Sequence, residues 1–252
     1  MIRYEYPLNE RVRTLLRLED LFDRLDWLVG GEHPYNHHAA LVTLFEIADV
    51  AARGDLKTDL LQELERQRST LSALRNNPDV EQARLDGVLH EIDQAYAGIH
   101  RLAGRIGQHL KEDEWLNAVR QRAIIPGGLC EFDLPAYHRW QHEPAELRRR
   151  NLDQWLEPML PVRSGLDIVL RLMRESCRPG MQQAINGVYQ QMLESGARPA
   201  QMIRIGVDEE FSGVPEISAN KYMLNIRFVR VQPGESKVCA DSIPFELTFC
   251  TL

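Results

Sequence analysis

Val162-Arg163-Ser164-Gly165-Leu166-Asp167-Ile168-Val169-Leu170-Arg171-Leu172-Met173-Arg174, followed by Glu175-Ser176-Cys177-Arg178-Pro179-Gly180, is the stretch where the chain changes period. Leu166, Val169, Leu170 and Met173 recur at helical spacing and predict a helix over 162–174. Past Pro179 the character differs. Gln183–Met192, Met202–Val207, Tyr222–Val231 and Ile243–Cys250 are short runs rich in β-branched or aromatic residues. Turn residues separate them at Gly196, Gly213-Val214-Pro215, Pro233-Gly234 and Pro244. Strands that follow a run of helices imply α+β segregation, not alternating β-α-β units.

Upstream of this point the chain reads as helices. Residues 2–6 are β-prone and run into Pro7, which suits an edge strand ending at the proline. Asn9 is a candidate N-cap for a helix carrying Val12, Leu15, Leu16, Phe22, Leu25 and Val29, broken by Gly30-Gly31 and Pro34. Further helices are expected over 36–53, 56–76 and 79–103. The last two are joined by Asn76-Asn77-Pro78 and form a long antiparallel hairpin. Leu60, Leu64, Leu71, Leu74, Leu85, Val88, Ile92, Tyr96 and Ile99 make its apolar seam, to be covered by other helices of the chain or by a second copy, with a role in dimerisation favoured. Arg105 to Asp113 reads as a polar connection. A short helix at 114–124, the loop Pro126-Gly127-Gly128, a segment turning helical through Trp140 and a helix from Pro144 through Trp155 complete the series. The expected domains are a helical one over 8–178 and a smaller antiparallel β domain over 179–252, joined by the N-terminal strand 1–7.

The chain has 252 residues, 44% hydrophobic, 7% aromatic and 27% charged, enough for a sizeable core without disulfide or metal staples. Its 37 acids against 30 basic residues leave a formal charge of −7. That argues against a protein coating nucleic acid over its whole surface, though not against a local basic patch. No stretch approaches the ~20 apolar residues of a membrane span. The opening Met1-Ile2-Arg3-Tyr4-Glu5-Tyr6-Pro7 lacks a signal-peptide core, so a cytosolic protein is expected. Cys130, Cys177, Cys239 and Cys250 are scattered without a C-x-x-C pair and read as buried or semi-buried small side chains. Four of the basic residues are lysines and the other 26 arginines. A GC-rich genome explains this, and so does a use for planar guanidinium groups against carboxylates and peptide carbonyls.

Catalytic and metal signatures are thin. His37-His38 reads as a surface pair. His138 and His142 have i,i+4 spacing, but the glutamate of H-E-x-x-H is absent, which leaves packing or hydrogen bonding as their role. Gly127-Gly128 has no phosphate-binding fingerprint around it, and no G-x-S-x-G elbow exists. Asp208-Glu209-Glu210 and Glu112-Asp113-Glu114 read as solvated turns. No catalytic residue, metal or cofactor is expected. The arginines say more. Arg11, Arg13 and Arg17 belong to the first helix, Arg120 and Arg122 to the helix before the Pro-Gly-Gly loop. Arg227 and Arg230 sit on one strand and point to opposite faces. Singly, each is a solvated charge or half of a surface ion pair. Packing of the strands beside the first helix would gather some of them into a basic pocket for an acidic extended peptide. The alternative is a nucleic-acid- or nucleotide-binding regulator using the same arginines. Neither stacking aromatics beside them nor a helix-turn-helix is present, and the net charge weighs against it.

Several motifs in fixed order carry a resemblance. Pro7-Leu8-Asn9-Glu10-Arg11-Val12-Arg13-Thr14-Leu15-Leu16-Arg17-Leu18-Glu19, Arg105-Ile106-Gly107-Gln108, and the run from Val119-Arg120-Gln121-Arg122 through Ile125-Pro126-Gly127-Gly128, Cys130 and Phe132-Asp133-Leu134-Pro135 are similar to the ZapD family of bacterial cell-division proteins. So are His138, Trp140 and His142, and Lys221 with Ile226-Arg227-Phe228. The resemblance spans essentially the whole chain. It implies a non-enzymatic cytosolic homodimer that binds the C-terminal tail of FtsZ, crosslinks its filaments and supports Z-ring assembly at midcell. No cofactor, nucleic acid or membrane takes part. Carried over position by position, it implies tail-binding roles for Arg13, Arg17, His138 and Arg227, then for Arg120, Arg122 and Lys221. Glu114 and Met223 stand where relatives can carry bases, which implies a pocket that is less positive or differently arranged.

Overall fold

The computed structural model describes residues 1–52, 54–193, 199–232 and 235–251. The expected turns at Gly196 and Pro233-Gly234 lie outside the described residues. In chain order the elements are β1 (Ile2–Pro7), α1 (Glu10–Gly30), α2 (Pro34–Ala51), α3 (Leu56–Ser72), α4 (Gln82–Arg101), α5 (Gln108–Glu112), α6 (Glu114–Ala123), α7 (Pro135–Gln141), α8 (Ala145–Leu156), a 3-10 turn at Glu157–Met159, and α9 (Leu160–Glu175). The strands β2 (Gly180–Ala184), β3 (Val188–Met192), β4 (Met202–Val207), β5 (Val214–Ala219), β6 (Met223–Gln232), β7 (Glu235–Val238) and β8 (Ile243–Cys250) follow. This is the α+β class. The chain divides into two compact units, Leu15–Val169 and Met1–Thr14 with Leu170–Leu252.

The first unit is helical. Leu60 and Leu64 of α3 meet Leu89, Ile92 and Ile99 of α4 in a fully buried seam, the expected antiparallel hairpin. Other helices of the same chain cover it. A Cβ on Gly165 of α9 would stand 2.5 Å from Ile99 Cδ1, so a larger residue there would force the Ile99 side chain to shift. Gln67 Nε2 donates to the Val169 carbonyl at 3.3 Å from the other side. The seam is shorter than the apolar periodicity suggests, because Leu71 is half-buried and Leu74 exposed near the tip of the hairpin.

Two boundaries differ from the sequence reading. Pro34 opens α2 and does not sit in a break, since a proline without an N–H fits the first helical turn. The stretch 105–113 is not only a polar connection. It contains α5, whose single buried residue, Leu110, is too little to register as a period.

Arg148 of α8 is buried, 4% exposed, and organises the α1–α2 turn. Its Nε donates to His37 Nδ1 at 2.8 Å, Nη2 to the Glu32 carbonyl at 2.5 Å, and Nη1 to the carbonyls of Gln141 (3.1 Å) and Glu143. Arg149 donates to the carbonyls of Val29, Gly30 and Gly31 at the C-terminal end of α1, where helix carbonyls lack intrahelical partners. His37 is therefore buried, not a surface histidine. Burial and the Arg148 charge hold its pKa below the ordinary value, so it serves as a neutral acceptor.

The second unit is a sandwich of two antiparallel sheets, ordered β1-β4-β8-β2 and β3-β6-β5, with β7 also paired to β6. Period-2 alternation places Ile203, Ile205, Phe245 and Leu247 of one sheet against Leu224, Ile226 and Phe228 of the other. The Phe228 and Phe245 rings lie 5.1 Å apart across the sheets. The end of α9 lies along the outer face of the first sheet, where Arg174 Nε donates to Glu5 Oε1 of β1 at 2.9 Å.

Gln183–Met192 is not one strand. Asn186 and Gly187 take positive φ (50° and 69°), the two-residue hairpin turn that an Asn-Gly pair favours. The two arms then part, β2 to β8 and β3 to β6. Gly213-Val214-Pro215 is not simply a turn. Val214 and Pro215 begin β5, an outer strand of its sheet, where proline costs no ladder bond. Pro244 lies inside β8 at a position paired only to β2, because β4 meets β8 from Glu246 onward.

Candidate functional site

In the β-rich unit, three of the expected residues are cations on or near its surface. Arg13 sits in the first turns of α1, whose start is capped by Asn9 Oδ1 accepting from the Val12 N–H at 2.9 Å. Its Nε donates to Glu10 Oε1 at 3.0 Å, and a third of the side chain stays exposed. Arg227 lies on β6 between Val188 of β3 and Glu216 of β5. Since Ile226 and Phe228 point into the core, Arg227 points outward and is exposed, with no ion pair or hydrogen bond among the described residues. Lys221 occupies the β5–β6 hairpin, where Asn220 Oδ1 accepts from the N–H groups of Tyr222 and Met223. Its Nζ stands 5.7 Å from the centre of the Tyr222 ring. Arg230, three residues beyond Arg227, donates to Asp241 Oδ2 at 3.1 Å.

The other four belong to the helical unit. Arg17 is exposed on α1 and has no polar partner among the described residues. Arg120 of α6 is tied to Asp49 of α2, which gives it a structural task. Arg122 and His138 are brought to the same loop, 126–134. Arg122 Nη1 lies 3.4 Å from Asp133 Oδ1, and His138 Nε2 lies 3.6 Å from Glu131 Oε2. Each of these two side chains thus already faces a carboxylate, and a tail must displace or share it. The rings of His138 and His142 are 4.5 Å apart, and His142 Nδ1 stands 2.9 Å from the His138 carbonyl.

His138 also lines an open cleft of about 480 Å³ with Tyr35, His38, Cys130, Phe132 and Tyr137. Phe132 and Tyr35 are largely exposed at its rim, 81% and 72%. On its floor Gln141 Nε2 donates to the Tyr137 hydroxyl at 3.2 Å, and that hydroxyl lies 2.8 Å from His38 Nδ1. Tyr137 then donates to a neutral His38. Burial lowers the His38 pKa and raises that of Tyr137 well above the usual phenol range, so both stay uncharged at neutral pH. The cleft therefore offers aromatic faces with a neutral polar edge, the make-up of a binding site for a side chain. Position alone did not single out Tyr137, His38 or Gln141; the only signal was the aromatic density around Trp140. Cys130 is exposed and not semi-buried.

Among the described residues, no group of three His, Cys, Asp or Glu side chains is placed to hold a metal ion. No described helix is long and apolar enough to cross a membrane.

The chain matches the family model of ZapD, described as cell division protein, over residues 16–227. It is 54% identical over 254 residues to the cell division protein ZapD of Dechloromonas aromatica (strain RCB), and 54% over 253 residues to that of Azoarcus sp. (strain BH72), each match covering 100% of both chains. The ZapD of Cupriavidus pinatubonensis (strain JMP 134 / LMG 1197) is 55% identical over 254 residues, covering 99% of each. Fold and relatives together define a cell-division protein; the relatives carry that name and not an enzyme's. The chain belongs to the ZapD family.

Proposed function

We propose that this protein binds the C-terminal tail of FtsZ and, as a homodimer, crosslinks FtsZ filaments into bundles that support Z-ring assembly at midcell, in the cytoplasm. Its two domains are a helical one over 8–178 and a β domain formed by 1–7 with 179–252. The observation that carries the reading is the exposure of Arg227 and Arg17 without a polar partner among the described residues, in a family named for cell division. Arg3, Arg105, Arg150 and Arg178 share that lack of partners. Most other described arginines are engaged within the chain, so the unengaged guanidinium groups are the ones ready for an external carboxylate. Arg13, Arg227 and Lys221 in one unit, and Arg17, His138, Arg122 and Arg120 in the other, are the proposed tail-binding residues. Arg120 contributes least, being held by Asp49.

Two tails gripped by one dimer raise the effective concentration of the second contact, so each contact can be weak and salt-sensitive while the bundle holds. The test is cosedimentation with FtsZ polymers. Arg227→Glu and Arg13→Glu keep the fold and the dimer but lower binding by about tenfold or more, as expected when an attractive contact becomes repulsive. Raising salt from about 0.05 to 0.3 M weakens the wild-type contact in the same assay. Unchanged bundling by both variants moves the site elsewhere.

A further inference from the structure

The outer face of the first sheet in the β-rich unit holds a small polar pocket. Ile203, Ile205, Phe245 and Leu247 fill the sandwich core, so the alternate residues Arg204, Gly206, Glu246 and Thr248 point to the other side, beside Arg3 and Glu5 of β1. One row across β1, β4 and β8 reads Arg3, Gly206, Glu246, and the next reads Glu5, Arg204, Thr248. Gly206 leaves the middle of its row without a side chain. A Cβ there would stand 2.6 Å from Met1 Sδ and 3.2 Å from Glu246 Oε2. The result is a pocket of about 150 Å³, room for about five water molecules, walled by Cys177 and Pro179 where the chain leaves α9.

Its donors lack acceptors. Arg3 is exposed and makes no ion pair or hydrogen bond among the described residues. Arg204 reaches only Glu5, from Nε at 3.0 Å and out of line for a hydrogen bond, and its two terminal nitrogens find no acceptor among the described residues. Thr248 is 7% exposed, and its hydroxyl likewise has no partner among them. A nearly buried hydroxyl beside two guanidinium groups is a set of donors waiting for one acceptor. The surrounding charge fixes the kind of acceptor. Arg3, Arg174 and Arg204 stand with Glu5 and Glu246, which leaves one positive charge to be met. We infer that the pocket binds one carboxylate on a short aliphatic stem, held by Arg3, Arg204 and the Thr248 hydroxyl, with Glu246 turning away dianions such as phosphate. Arg227 lies on the other sheet, so this site shares no residue with those proposed to grip the FtsZ tail. A free small acid and an acidic side chain of a peptide present the same group.

The test is saturation-transfer NMR on the full chain at mildly alkaline pH. The probes are propionate and a capped pentapeptide whose sole carboxylate is a central glutamate side chain. Propionamide and the glutamine peptide are their uncharged counterparts, and inorganic phosphate is the dianion. The expected result is transfer to propionate and not to propionamide. Arg3→Ala, an exposed position that leaves the fold intact by circular dichroism, weakens binding by about tenfold, the loss of a charge-assisted contact. Glu246→Gln tightens it by about threefold or more, because a like charge is removed, a gain that a purely structural glutamate would not give. Binding of the glutamate peptide together with propionate makes a peptide side chain the ligand; binding of propionate alone makes it a free acid. The inference is overturned if neither probe receives saturation, if propionamide binds as well as propionate, or if phosphate binds more tightly than propionate. It is equally overturned if Arg3→Ala and Glu246→Gln both leave the affinity unchanged.

Discussion

The α1–α2 turn and the outer face of β6 use the same side chain for opposite ends. Arg148 and Arg149 are spent on the protein itself, with Arg148 reaching three carbonyls and a histidine nitrogen from a buried position and Arg149 closing the end of α1. Arg227 stands in the open on β6 with no polar partner among the described residues. A guanidinium cannot shed its charge on burial, so it is tolerated inside only where every donor is met. On the surface the same group costs little to leave unpaired. The comparison separates arginines that hold the fold from arginines available to a partner.

Breaking the buried side has the largest effect. Arg148→Leu leaves three carbonyls and His37 Nδ1 without donors, and a loss of about 3 kcal/mol or more is expected in urea unfolding. Arg148→Lys does not rescue it, since an ammonium cannot span four acceptors. Phe228→Ala, a control in the sandwich core, costs about 3–5 kcal/mol by cavity formation, without touching any arginine. Arg149→Ala costs less, about 1 kcal/mol, because water can reach part of the helix end. On the exposed side, Arg227→Glu and Arg17→Glu leave stability within about 0.5 kcal/mol while weakening tail binding. A large loss of stability from either would erase the distinction.

A pH titration sharpens the same contrast. His37 and His38 have pKa values below the ordinary 6.5 in the folded protein, so the unfolded chain binds more protons as pH falls through that value. Stability is greatest above about pH 7 and declines toward pH 5.5, seen as a falling urea midpoint. Replacing His37 by Gln, which keeps an acceptor but does not titrate, flattens that decline. A midpoint indifferent to pH over this range refutes the neutral role of His37.

The fold class was legible because the hydrophobic period changes from 3.6 to 2 past Pro179, and period reports which face each residue buries. The hairpin of α3 and α4, the cap at Asn9 and the edge strand ending at Pro7 followed from equally local signals. Other features resisted. Asn186-Gly187 is a strong turn signal, but the apolar residues on either side of it merge into what looks like one strand. The short β7 carries no period of its own. His37 reads as a surface residue from its neighbours, and its burial depends on Arg148, 111 positions away, which donates to it. Among the arginines, spacing identified helix and strand positions and gave no means of telling Arg120, held by Asp49, from Arg17, held by nothing among the described residues.

The amino-acid sequence by itself determined the class of fold, the family and the surplus of guanidinium groups, since periodicity, motif order and composition are properties of neighbours along the chain. Only the tertiary structure decided which arginines are consumed internally, that His38 and Tyr137 form a neutral pair, and that Arg148 donates to His37. Each of those is a contact between residues far apart in the chain, and burial and hydrogen-bond satisfaction exist only once distant segments have met.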